Sequence, residues 1–207
     1  MGDPETVSAR FSDDDATPAR KRPRPGERRL QILQTLASML EQPGAERVTT
    51  ASLAAKIGVS EAALYRHFAS KAQMFEGLID FVDQSVIGLI RQVTDREPAG
   101  PVQASRIVAL LLQFAEKNPG MSRVMIGDAL VLEHERLQER INLLFDKIEA
   151  QLRQSLKTSD SPTPTADAQV AASLLVAFMQ GRLQRFARSG FKRLPSEHLQ
   201  AALTKML

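Results

Sequence analysis

Residues 50–68, TASLAAKIGVSEAALYRHF, hold two short amphipathic stretches pinched around Gly58-Val59-Ser60. So tight a turn obliges two helices to cross at a corner, and glycine suits the left-handed backbone position such a turn requires. Ala54, Ile57, Val59, Leu64 and Phe68 fall where the crossing helices must bury that corner. Ser60, Glu61, Ala62, Ala63, Tyr65, Arg66 and His67 are left facing outward or toward the helix end. This is the organisation of a helix-turn-helix, whose second helix enters the DNA major groove. The alanines allow close approach and can meet thymine methyl groups. Tyr65, His67 and Lys71 can hold phosphates, and Arg66 can reach a base edge or a phosphate. The shape alone is weak evidence, because any helical domain can contain it. A lone histidine such as His67, or the chain's single tyrosine, Tyr65, is also compatible with plain packing. The ordered combination is what points to nucleic acid.

The rest of the chain reads as helix throughout. Leu30, Leu33, Leu36, Ala37 and Leu40 recur at spacings of three and four, up to the breaker Pro43-Gly44. A threonine hydroxyl at Thr49-Thr50 can cap the next helix, Ser60 the one after, and Ser70 the long stretch KAQMFEGLIDFVDQSVIGLIRQV. Met74, Phe75, Leu78, Ile79, Phe81, Val82, Val86 and Ile87 crowd one side of that stretch. Beyond EPAGP (97–101) follow a helix over VQASRIVALLLQFAEKN, a short one after Pro119-Gly120, and long ones over 133–156 and 165–189. The last two are separated by the loop KTSDSPTP, with Thr165 as the expected cap. A short helix is expected after Pro195. No stretch shows strand alternation. The expected fold class is all-α, with about nine helices in three parts: an arm over 1–26, a three-helix reading domain over 27–71, and a helical bundle over 72–207.

The chain is acidic at Asp13, Asp14 and Asp15 of the arm, then strongly basic at Arg20, Lys21, Arg22 and Arg24 and, at the start of the next domain, Arg28 and Arg29. A basic cluster just ahead of the first helix suits attraction to phosphate, though a solvated tail would look the same. The sequence holds no cysteine, so disulfides and thiolate metal sites are excluded. No apolar run approaches the roughly 20 residues of a membrane span, and MGDPETVSAR lacks the pattern of a secretion signal. A cytoplasmic protein is expected. An enzyme is not: His67, His134 and His198 lie far apart, and EHER (133–136) lacks the second histidine of the HExxH motif. No GxGxxG, P-loop or GxSxG sequence occurs, and nothing calls for a cofactor or a metal.

The run TTASLAAKIGVSEAALYRHFASKAQMF resembles the DNA-binding signature of the TetR family. The resemblance implies a three-helix N-terminal reader, a connecting fourth helix and a C-terminal helical bundle that dimerises on a near-palindromic site. Carried over by position, it puts Thr49 and Thr50 on the DNA backbone, Ser60, Ala62, Ala63, Tyr65, Arg66 and His67 on the DNA face, and Lys71 on a phosphate. Residues 110–156 and GRLQRFARSGFK are similar to the nucleoid-occlusion factors within that family. Proteins of that kind act on the tubulin-like division protein FtsZ, and residues 81–118 supply a candidate surface: Phe81, Leu110, Gln113, Lys117 and Asn118. Core packing is the competing reading for Phe81 and Leu110, and capping or solvation for Lys117 and Asn118. LLVAFMQG, apolar nearly all round, and Gly181 mark the expected dimer helix, with the helix over 133–156 beside it. The rival function is a ligand-responsive repressor of the same fold. The C-terminal part has no Trp or Tyr to line an aromatic drug pocket, which leaves an apolar pocket for a lipid-like ligand as the open alternative; no small-molecule ligand is expected.

Overall fold

A computed structural model describes residues 26–42, 48–131, 133–157 and 163–207. Arg20, Lys21, Arg22 and Arg24 of the basic arm, the Pro43-Gly44 breaker and most of the loop before the eighth helix lie outside the described residues. Among the described residues there are nine α-helices and one 3₁₀ turn, with no strand. The helices are α1 (Glu27–Leu40), α2 (Thr50–Ile57), α3 (Glu61–Tyr65), α4 (Lys71–Thr94), α5 (Pro101–Lys117), α6 (Pro119–Met125), α7 (Glu135–Leu156), α8 (Pro164–Arg188) and α9 (Leu199–Met206).

Local chemistry sets most of the boundaries. Thr49, Ser60 and Ser70 cap α2, α3 and α4, each accepting a backbone N–H three residues on. Proline stands at the first position of α5, α6 and α8, where its missing N–H costs nothing. The helix α8 starts earlier than expected: Thr163, not Thr165, is the residue before it, and its hydroxyl bonds Asp167 at 3.2 Å.

Packing centres on α4, which buries Met74, Phe75, Leu78, Ile79, Val82, Val86, Ile90 and Val93. Phe81 does not share that face: it is 43% exposed, because its position turns it away from the buried stripe. In α1 the buried stripe is Ile32, Leu36 and Leu40, while Leu30 stays 53% exposed. Along its outer edge α4 runs in the same direction as α7, and four ion pairs follow in step: Lys71–Glu133, Glu76–Arg136 (2.8 Å), Asp80–Arg140 and Asp83–Lys147 (2.7 Å). The buried apolar side chains form one connected set from Ile32 in α1 to Leu203 in α9.

The helix α6 is the short strut between this core and α1. Gly120 permits the approach, since a Cβ there would stand 2.1 Å from the Ala37 carbonyl oxygen. That obstacle is backbone and cannot swing aside. Gly120→Ala should therefore cost about 3 kcal/mol, the upper end of overpacking penalties. Urea denaturation of the purified variant would measure it, and a loss under about 0.5 kcal/mol would mean that α1 and α6 separate freely.

Candidate nucleic-acid interface

The reading unit is built from α2, the turn at Gly58, and α3. Thr49 and Ser52 close a reciprocal capping box: Thr49 Oγ1 accepts the Ser52 amide at 3.1 Å, and Ser52 Oγ accepts the Thr49 amide at 3.1 Å. This leaves the amides of Thr50 and Ala51 as the outward donors of the helix end. The helix stops at Gly58, whose φ of 76° lies in the left-handed region, and its N–H donates to Ala54 O at 2.9 Å. Val59 N also bonds Ala54 O, at 3.0 Å, which turns the chain at once into Ser60. Thr50 Oγ1 then donates to Glu61 Oε2 at 2.6 Å, tying the start of α2 to the start of α3.

The corner is buried as the residue pattern requires. Ala54, Ile57, Leu64 and Phe68 are all buried, and Val59 is half-buried. Ser60, Ala62, Tyr65, Arg66 and His67 are exposed, and Ala63 is half-buried. These six lie on or beside the five residues of α3, and Tyr65 stands out at 46% exposure. Two bonds hold the far end of this surface: Arg29 Nη1 donates to the His67 carbonyl at 2.9 Å, and the Arg29 guanidinium lies 4.1 Å from the centre of the Phe68 ring. Arg29 therefore leaves the basic cluster of the arm and acts as a strut behind α3. Arg28 bonds Gln31 at 2.8 Å.

Two sequence-predicted contacts have other partners here. The Lys71 ammonium sits on Glu133, before α7, and 5.6 Å from the Phe75 ring. The proton of the Thr50 hydroxyl is used by Glu61. Glu61 and Arg29 organise the site without having been singled out for that role, because both act through partners distant in sequence.

The second set of predicted residues is only partly gathered. Leu110 and Gln113 line an open groove of about 790 Å³ between the end of α4, α5 and α9, with Gln92, Val102, Arg106 and Leu207. Phe81, Lys117 and Asn118 are not among its walls. Lys117 is exposed at the end of α5, and Asn118 Nδ2 donates to Phe114 O at 2.7 Å, a capping bond. Among the described residues no cluster of three or more metal-ligating side chains occurs, and no helix is long and apolar enough to cross a membrane.

Comparison with known proteins agrees with this geometry. Residues 32–78 match the family described as bacterial regulatory proteins, tetR family, and residues 101–206 match the SlmA-like form of the tetracyclin repressor-like C-terminal domain. Solved structures share the fold at low identity. A transcriptional regulator from Rhodococcus sp. Rha1 has a TM-score of 0.70 at 20% identity, covering 86% of this chain and 92% of that one. The regulator FadR from Bacillus subtilis, solved in complex with stearoyl-CoA, has 0.65 at 12%, covering 86% and 96%. The fold and its reading unit are those of a TetR-type DNA-binding regulator. Curated relatives narrow this. The nucleoid occlusion factor SlmA of Idiomarina loihiensis is 49% identical over 177 residues, 84% of this chain and 90% of the relative. That of Shewanella oneidensis is 50% identical over 174 residues, 83% and 88%. The chain belongs to the TetR family, among its SlmA-type nucleoid occlusion factors.

Ser60→Ala should destabilise the protein by about 1 kcal/mol, as loss of an N-cap does. Thermal unfolding gives the value, and Ser60→Asp, which restores an acceptor, should recover most of it.

Proposed function

We propose that the protein binds near-palindromic chromosomal sites as a homodimer and, from there, acts on FtsZ to keep the division ring off the DNA. The observation that carries this reading is near-50% identity to SlmA nucleoid occlusion factors along most of the chain. On the DNA side, Ser60, Ala62, Ala63, Tyr65, Arg66 and His67 form the contact face. Ala62 and Ala63 lie against base edges, while Tyr65 and His67 hold phosphates. Thr50 meets the DNA backbone through its free amide at the start of α2 rather than through its hydroxyl, and Thr49, whose amide and hydroxyl both serve the capping box, meets it by position. Lys71 reaches a phosphate only by sharing an ammonium that Glu133 already holds.

The dimer is built on α7 and α8. Val170 (61% exposed) and Leu174 (58%) stand on α8 in line with Gly181, and Leu143 (57%) stands on α7. A Cβ at Gly181 would meet nothing within 4 Å in the protomer, so its open side suits close approach of a partner helix. An apolar stripe of this length on adjacent helices is ordinary for a subunit interface. Leu174→Glu should raise the dimer dissociation constant at least about hundredfold, a loss of roughly 3 kcal/mol. Analytical ultracentrifugation would read it, and an unchanged dimer would place the interface elsewhere.

FtsZ contacts α4 and α5, at the exposed Phe81, the groove residues Leu110 and Gln113, and Lys117 and Asn118 beyond them. Light scattering by FtsZ polymers tests the function directly. The expected result is a protein-dependent fall in polymer mass that strengthens when the cognate site is added. No DNA-dependent effect would favour a promoter-bound repressor. Lys117→Glu should weaken the FtsZ effect while leaving DNA affinity within about twofold. Tyr65→Ala should reduce affinity for all sequences together and lessen its salt dependence, whereas a larger residue at Ala62 should change which sequence is preferred.

A further inference from the structure

A second recess lies at the opposite end of the chain from the reading helices. It has a volume of about 640 Å³ and is bounded by the last turns of α8 and the segment from Lys192 to His198. Its walls include Arg182, Arg185, Lys192 and Arg193, and only one acid, Glu197. Among the described residues Arg185, Lys192 and Arg193 make no ion pair, and Glu197 faces His198 at 3.9 Å. Three unpaired cations on one concave wall repel one another, and the recess concentrates their field.

The arrangement is held in place by contacts that use the side chains of none of these three cations. Phe191 and His198, neither of them glycine, both sit in the left-handed region, at φ 64° and 54°. Strain of this kind persists only where the surroundings impose it, and it clusters at ligand sites. Here the Phe191 ring packs edge-on to Phe186 at 5.1 Å, with the buried Arg123 guanidinium 5.4 Å away. Ser189 Oγ accepts the amides of both Lys192 (3.1 Å) and Arg193 (2.9 Å). Arg182 Nη1 donates to Glu197 O at 2.8 Å, and Glu116 Oε1 on α5 accepts the Ser196 amide at 2.7 Å. The segment is thus folded back so that Lys192 and Arg193 line the same recess as Arg185.

We propose that this recess is a binding site for an oligophosphate anion, free or as a nucleotide ester. The argument is independent of the FtsZ and DNA assignments. A di- or triphosphate supplies the several negative charges that three unpaired cations call for, and guanidinium groups match phosphate oxygens two at a time. The recess, open on one side to solvent, has a volume within the range of small-molecule sites. Leu194, 51% exposed on the same wall, offers an apolar surface to the organic part of an ester.

Calorimetric titration of the full-length protein at fixed ionic strength tests this, with tripolyphosphate, ATP and orthophosphate as probes. Saturable binding at one site per chain is expected, with tripolyphosphate at least about tenfold tighter than orthophosphate. ATP binding tighter than tripolyphosphate would identify an ester site, and equal binding a free oligophosphate site. The double variant Arg185→Ala/Arg193→Ala should weaken tripolyphosphate at least about tenfold, and Arg185→Lys/Arg193→Lys by less, since charge remains while the paired geometry is lost. Unchanged melting temperatures would show that both variants are folded. Absence of saturable binding overturns the proposal. So does binding that survives the double alanine variant, or binding lost in Arg66→Ala, which would place the anion on the DNA face. If vesicles containing anionic lipid bind through Arg185 and Arg193 while tripolyphosphate does not, the surface serves a membrane and the proposal fails.

Discussion

One helix has to satisfy two packing problems at once. At 24 residues, α4 is roughly 36 Å long, and its buried stripe continues from the neighbourhood of α1 to the far end of α5. Met74, Phe75 and Leu78 close the corner beside α1 and Phe68, while Val86, Ile90 and Val93 belong to the bundle. The reading helices are therefore set on the same rod that carries the bundle. The apolar stripe does most of this work. Each ion pair along α4 and α7 is partly exposed and worth at most about 1 kcal/mol, so the seam fixes the helices' register more than it stabilises them.

Features with a local cause could be read directly from the sequence. The caps at Thr49, Ser60 and Ser70, the left-handed Gly58, and the buried corner of Ala54, Ile57, Leu64 and Phe68 each need only residues within a few positions. Spacing alone is not enough where a distant partner decides. Leu30 has the spacing of a core residue, yet the face α1 buries is set by α2, α4 and α6, and it chooses Ile32. Phe81 fits an apolar count along α4, but helical geometry turns it away from the face that its neighbours fill. Arg29 looks like part of a basic arm until the chain brings Phe68 and the His67 carbonyl beneath it. Thr165 has the chemistry of a cap, but Pro164 starts the helix ahead of it.

The cations at the end of α8 are a stronger case of the same limit. Arg182 and Arg185 are a helical turn apart, while Lys192 and Arg193 follow a break, and nothing in that spacing marks a common site. The link is the reversal after α8, where Gly190 and Phe191 both take positive φ and Phe191 N returns to Phe186 O at 2.9 Å. Gly190 invites this backbone conformation, but at Phe191 it is one the residue type argues against.

Lys71 shows how closely the two ends of this architecture are joined. It stands at the first position of α4, just after the turn that follows α3, and its ammonium closes the α4–α7 seam on Glu133. Neither side chain is far into solvent, at 27% and 13% exposure, so this pair is less screened than the others along the seam. An anion that draws Lys71 away must replace the Glu133 carboxylate or leave it half-buried and unpaired. Contact with a phosphate at this point thus has a cost set inside the bundle, at the entrance to α7. Helix α7 in turn packs on α4, α5 and α8. The Lys71–Glu133 pair and the Gly120 contact to α1 are thus two joints, beside the continuous stripe of α4, through which a change at the reading helices meets the bundle.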